Sequence, residues 1–189
     1  GLFIFMPLTS LKNEFDFPDD VVYLNTASFS PAFKSVEKAG LEVADIILEP
    51  LASSESVLSF EEKETAAYIA SHLREMGISF KENIGGYGIV AEIGKGGKCL
   101  ALRGDMDALP IEEATGLDYA SKTTGKMHAC GHDGHTAMLL GAAQYLAETR
   151  NFDGTVVVIF QPAEEGGGGA KVMCDDGLME RFGIQEVYG

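Results

Sequence analysis

Basic residues are scarce: 14 Lys plus Arg stand against 29 Asp plus Glu, a net charge of −15 over 189 residues. That surplus repels a phosphate backbone, so nucleic acid is not the expected partner, and an acidic membrane surface is disfavoured for the same reason. Cysteine is scarce too. Three (Cys99, Cys130 and Cys174) are an odd number for a chain of this length, which argues against a secreted disulfide framework and for reduced thiols in the cytoplasm. No apolar run approaches the roughly 18 residues needed to cross a bilayer. Residues 1–8 are apolar but lack a basic region and a small-residue cleavage site, and so read as a loosely packed leader or remnant, not a signal peptide. What is present, 46% hydrophobic and 23% charged residues, describes a soluble globular protein of one domain, or one and a half small ones.

The composition changes along the chain. Residues 1–55 read as an extra N-terminal segment: a short strand-like run at Val21-Val22-Tyr23-Leu24, a turn-prone stretch, then apolar Val36, Ala39, Val43 and Ile47 at helical spacing. Small residues from 50 to 56 read as a linker. A second unit, residues 56–189, opens on Ser59-Phe60-Glu61-Glu62, the Ser-x-x-Glu pattern of a helix capping box. Ala66, Ile69, Ala70, Leu73 and Met76 continue the helix, and Gly77 supplies its stop. Strands are expected over 78–84, 87–93 and 99–103, a helix over 135–149, and a strand buried on both faces over 155–160. Alternating elements of this kind indicate an α/β layered sheet with flanking helices.

Chemistry-bearing residues concentrate in three places. Arg103-Gly104-Asp105-Met106-Asp107 follows the third strand, at the carboxyl end where α/β sheets collect ligands; two solvated turn aspartates are the bland alternative. The stretch 127–135 packs His128, Cys130, His132, Asp133 and His135 among small residues, and holds every histidine but His72. Cys130 and His132, two apart, would point the same way in an extended stretch. Thiolate with imidazole suits zinc or another divalent transition ion. The third place is Glu164-Glu165, between the buried strand and Gly166–Gly169. In extended backbone adjacent carboxylates face opposite sides, so one could bind metal while the other serves as general base. The glycine run lacks the Gly-Lys-Ser/Thr ending of a phosphate cradle.

From about Leu58 onward the chain resembles the aminoacylase and carboxypeptidase group of dinuclear metallohydrolases, in the hippurate hydrolase and indole-3-acetyl-amino acid amidohydrolase branch. The resemblance is carried by residues 58–62, 102–110, 125–137 and 160–171, in order. It implies the catalytic domain of a zinc-peptidase-like fold, with two divalent ions (zinc, manganese, cobalt or nickel) as cofactors. Cys130, His132 and Glu165 would be ligands. Glu164 would be the general base acting on a metal-bridged water that attacks the amide of an N-acyl amino acid. Asp105 matches the acidic residue that orients a metal-bound histidine, with Arg103 where the wider family has that histidine. Two further histidine ligands and an inserted lid domain of the family find no match, so the chain reads as the front, incomplete part of such a domain.

Residues 17–28 resemble instead the start of a class V aminotransferase-type pyridoxal-phosphate enzyme. No lysine in a Schiff-base context accompanies them, so no activity is carried over, and a fusion junction is expected near residues 50–57. The alternative to an amidohydrolase is a non-catalytic metal-binding fragment that pairs with itself or a partner through uncovered sheet.

Overall fold

The computed structural model describes residues 58–189; the N-terminal segment, the linker and the expected junction lie outside the described residues. In chain order the elements are α1 (Lys63–Glu75), β1 (Ser79–Ile84), β2 (Gly88–Lys95), β3 (Cys99–Asp105), α2 (His132–Thr149), β4 (Gly154–Gln161), α3 (Gly169–Asp175), α4 (Leu178–Phe182) and β5 (Glu186–Tyr188). The strands form one sheet in the order β1-β2-β4-β3-β5. β1 with β2 and β2 with β4 run antiparallel, whereas β3 pairs parallel with both β4 and β5.

The β-branched run of β4 explains its central place. Side chains alternate across a sheet, so Val156, Val158 and Phe160 join one apolar cluster with Ile69 and Leu73 of α1 and Leu140 and Ala143 of α2. Val157 and Ile159 join another on the opposite face with Met173 of α3 and Leu178 of α4. A strand buried on both sides must be apolar throughout, which is how this one reads in sequence. Helices cover both faces, as expected of a layered α/β unit. No described helix is long and apolar enough to cross a membrane.

Two local expectations change. α1 starts at Lys63 without a side-chain cap, because Ser59 and Glu62 are engaged elsewhere. α2 starts at His132, not His135, after Gly131 turns the chain at φ 85°, a conformation open to glycine at no steric cost. His132 is therefore on the first turn of a helix, not in extended backbone. Its convergence with Cys130 comes from that turn.

Candidate metal centre

Two parallel strands end side by side. Asp105, the last residue of β3, is in register with Gln161, the last of β4, so the loops that follow leave from one edge of the sheet. The N-terminus of α2 returns to that edge, where the Thr136 hydroxyl donates to the Asp105 carbonyl at 3.0 Å. Three segments far apart in sequence thus meet outside the carboxyl ends of the strands, where α/β sheets place ligands.

His132 is at the middle of this meeting point, and is 2% exposed. Its Nδ1 lies 3.2 Å from Asp107 Oδ1. A carboxylate accepts, so Nδ1 donates and Nε2 is turned the other way, as the atom that could coordinate a metal. Nε2 faces a ring of carboxylate oxygens: Asp105 Oδ1 at 3.6 Å, Glu165 Oε1 at 3.7 Å and Glu164 Oε2 at 3.9 Å. Burial alone would lower the imidazole's affinity for a proton, but the Asp107 hydrogen bond and the surrounding carboxylates raise it above its ordinary value. The same negative ring would attract a metal cation.

Asp107 fixes more than the imidazole. Oδ1 also accepts the Glu164 amide at 3.0 Å, and Oδ2 accepts the Glu165 amide at 3.0 Å and the Ser59 hydroxyl at 2.6 Å. Burial would raise its carboxyl, but these donors outweigh burial and hold it well below the usual carboxylate range. The bland alternative in sequence leaves both Asp105 and Asp107 as solvated turn residues, and the family resemblance implies the orienting role for Asp105. In the structure the contact to His132 Nδ1 comes from Asp107, while Asp105 lies on the Nε2 side. The available signal was spacing: Asp105 and Asp107 are two apart at a strand end, and so share a side.

Asp105 is itself tied down. Oδ2 pairs with Arg103 at 2.8 Å and Oδ1 accepts from His135 Nδ1 at 2.6 Å, while Arg103 Nε donates to Gln161 Oε1 at 2.7 Å. Burial would raise its carboxyl, and the His135 and Arg103 contacts bring it below its ordinary value.

Glu164 and Glu165 do not sit in extended backbone with opposed side chains. They occupy a turn, braced by Asp107 on both amides, and both carboxylates reach the same imidazole. Cys130 completes the group. Burial of its sulfur and the facing Glu165 carboxylate push the thiol up to about 11. Donor atoms of Cys130, His132 and Glu165 all lie within 4.8 Å of one another. Glu165 Oε1 is buried with no hydrogen-bond partner, as an oxygen reserved for a cation would be. A second set, Asp105, His132 and His135, has the same compactness but is closed by its own hydrogen bond. The first set fits a divalent ion better, by donor type and by its unmet oxygen.

Other candidates are elsewhere. Asp133 accepts its neighbour Gly134's amide, the buried Cys99 donates to the Phe182 carbonyl, and Cys174 is exposed.

Residues 101–189 match the family described as Peptidase family M20/M25/M40. The chain resembles that family over just under half of its length. It is 52% identical over 134 residues to hippurate hydrolase of Campylobacter jejuni, covering 70% of this chain and 35% of that protein. It is 48% identical over 134 residues to IAA-amino acid hydrolase ILR1-like 5 of Arabidopsis thaliana, covering 70% and 30%. Among solved structures it resembles the Bacillus subtilis YXEP protein, a dinuclear metal binding peptidase from the M20 family. That likeness has a TM-score of 0.73 and 38% identity, and covers 81% of this chain and 43% of the other. The chain thus spans about a third of the length of these curated relatives. The matched M20 segment begins within β3 and contains Asp105, Asp107, Cys130, His132, Glu164 and Glu165. Ser59 and Glu62, which reach the same edge of the sheet, precede it.

Proposed function

We propose that residues 56–189 contribute the metal-binding part of an M20-type amidohydrolase acting on N-acyl amino acids, with residues 1–55 a separate segment. The observation that carries this reading is the compact Cys130, His132 and Glu165 set, with its buried, unpartnered Glu165 oxygen. A thiolate, an imidazole and a carboxylate together suit zinc, cobalt, nickel or manganese better than calcium or magnesium. Divalent metal held by Cys130, His132 and Glu165 would supply a water acidified toward neutrality and a Lewis acid for an amide carbonyl.

The chain's own residues divide the remaining work. Asp107 holds the His132 ring and both Glu164 and Glu165 amides. Glu165, the less exposed of the pair, would hold metal. Glu164, 42% exposed and with Oε2 3.9 Å from His132 Nε2, would take a proton from the attacking water and return it to the departing amine. Asp105, fixed by Arg103 and His135, keeps negative charge beside His132 Nε2. The names of the relatives favour hippurate-like substrates: an acyl group on the nitrogen of an amino acid.

The test is metal stoichiometry and turnover. Metal-free protein titrated with zinc should take up metal in a Cys130-dependent manner, and loaded protein should release amino acid from N-benzoylglycine. Equal zinc uptake by wild type and C130A would sink the metal-centre reading. Uptake of a single ion with no turnover would favour the non-catalytic alternative.

A further inference from the structure

Ser59 and Glu62 have the spacing of a capping box, yet neither caps α1. The Ser59 hydroxyl turns to Asp107. Glu62 is fully buried, and its Oε1 accepts two amides: Phe60 at 3.0 Å and Ala163, 101 residues away, at 2.8 Å. Both donors are non-glycine residues in the left-handed region, Phe60 at φ 62° and Ala163 at φ 53°, which L side chains rarely adopt. One carboxylate oxygen therefore holds two strained pieces of backbone. Both also lie against Gly167, where a Cβ would be 2.6 Å from Ala163 Cβ and 2.7 Å from Phe60 Cε2.

The Ala163 turn leads directly into the acidic couplet. Its amide goes to Glu62, and the next two amides go to Asp107. Three successive N–H groups thus grip two carboxylates from outside the loop. Burying a carboxylate is a costly way to fix an ordinary turn, and strained backbone persists only where its surroundings hold it. The Phe60 bond is local, two residues away, and lies outside α1. The bond to Ala163 serves the other loop.

We propose that Glu62 is a positioning residue for Glu164 and Glu165, its Oε1 holding Ala163 in the left-handed turn that delivers both carboxylates to His132. This rests on reading Glu165 as a metal ligand. Groups that support a ligand from behind typically change metal affinity about 10–100-fold when lost.

Cobalt is the probe. In the full chain, E62A should bind cobalt at least about tenfold more weakly and shift the ligand-field bands, while the Cys130 thiolate-to-cobalt band persists. E62Q, which keeps an acceptor oxygen, should restore affinity and bands. An E62A protein indistinguishable from wild type would overturn the proposal, and so would an E62Q as impaired as E62A. If E62A does not fold, amide exchange in the unsubstituted, metal-free protein decides: a slowly exchanging Ala163 amide is expected, and an unprotected one overturns the proposal. Absence of the thiolate band in the unsubstituted chain would sink the metal-centre reading instead, and the Ala163 amide would still decide the role of Glu62.

Discussion

A thiol held up to about 11 gives metal binding a direct signature, because a thiol must lose its proton to become a ligand. Metal uptake near neutral pH should release protons, read by calorimetry in buffers of different ionisation heat, and affinity should rise with pH. C130A should abolish metal retention, whereas C99A should leave it, since the Cys99 sulfur is spent on the Phe182 carbonyl. Proton-free uptake would remove Cys130 from the ligand set. Asp107 makes a sharper case. D107N turns one of its two oxygens into an amide that faces donors, costing on the order of 2–3 kcal/mol for the unmet groups and about 5–10 °C in Tm. Thermal melts of the metal-free protein check this, and an unchanged Tm would mean that those hydrogen bonds stabilise nothing. Residue types were legible here where chemistry is rare: Cys130 and His132 stand out among small neighbours. Asp107 was not, because a turn aspartate and a fourfold acceptor look alike until the donors arrive from residues 59, 132, 164 and 165.

At the scale of elements, strand composition gave away the sheet, and β1, β2, β3 and β4 fall within two residues of their expected bounds. Loops were harder to read, because their geometry is set by what packs on them. The run Gly166–Gly169 lets backbone approach backbone. A Cβ on Gly169 would lie 1.7 Å from the Pro162 carbonyl oxygen, while the Gly169 amide donates to the Ala163 carbonyl at 3.0 Å. G169A must therefore displace either α3 or the turn before Glu164, at a cost of about 1–3 kcal/mol by analogy with overpacking. Gly134, in the first turn of α2, meets nothing within 4 Å, so G134A should be neutral or stabilising by up to about 1 kcal/mol. Chemical denaturation of the two variants side by side gives the comparison, and equal midpoints would refute the close approach. The capping-box spacing misled for a related reason: a motif defined by local partners loses to distant partners that offer better hydrogen bonds.

Over the whole molecule, Glu62 joins the start of α1 to the loop after β4, so its ionisation is coupled to global folding. Burial holds its carboxyl above the ordinary value; the amides of Ala163 and Phe60 pull the other way and do not cancel it, and the charge of Asp107 adds to the rise. A carboxyl raised on folding binds protons more tightly in the native state than in the unfolded one. Stability from that site is therefore fully present below the unfolded value, about 4.3, and is lost as pH rises through the higher folded value. Glutamine cannot ionise, keeps an oxygen for the two amides, and leaves only a neutral group where the unpartnered Oε2 stood, a smaller desolvation cost than a charge. Metal-free E62Q should therefore melt above wild type at neutral pH, with the gap closing as pH falls toward 4. Asp105 and Asp107 have carboxyls lowered in the fold, so their contribution has the opposite sign and is lost on acidification in both proteins, apart from the Glu62–Asp107 repulsion that E62Q removes. The difference between the two melting curves thus isolates Glu62. Parallel curves from pH 4 to pH 8 would mean that the buried carboxyl titrates as it does in the unfolded chain, and that no charge is trapped between α1 and the acidic couplet.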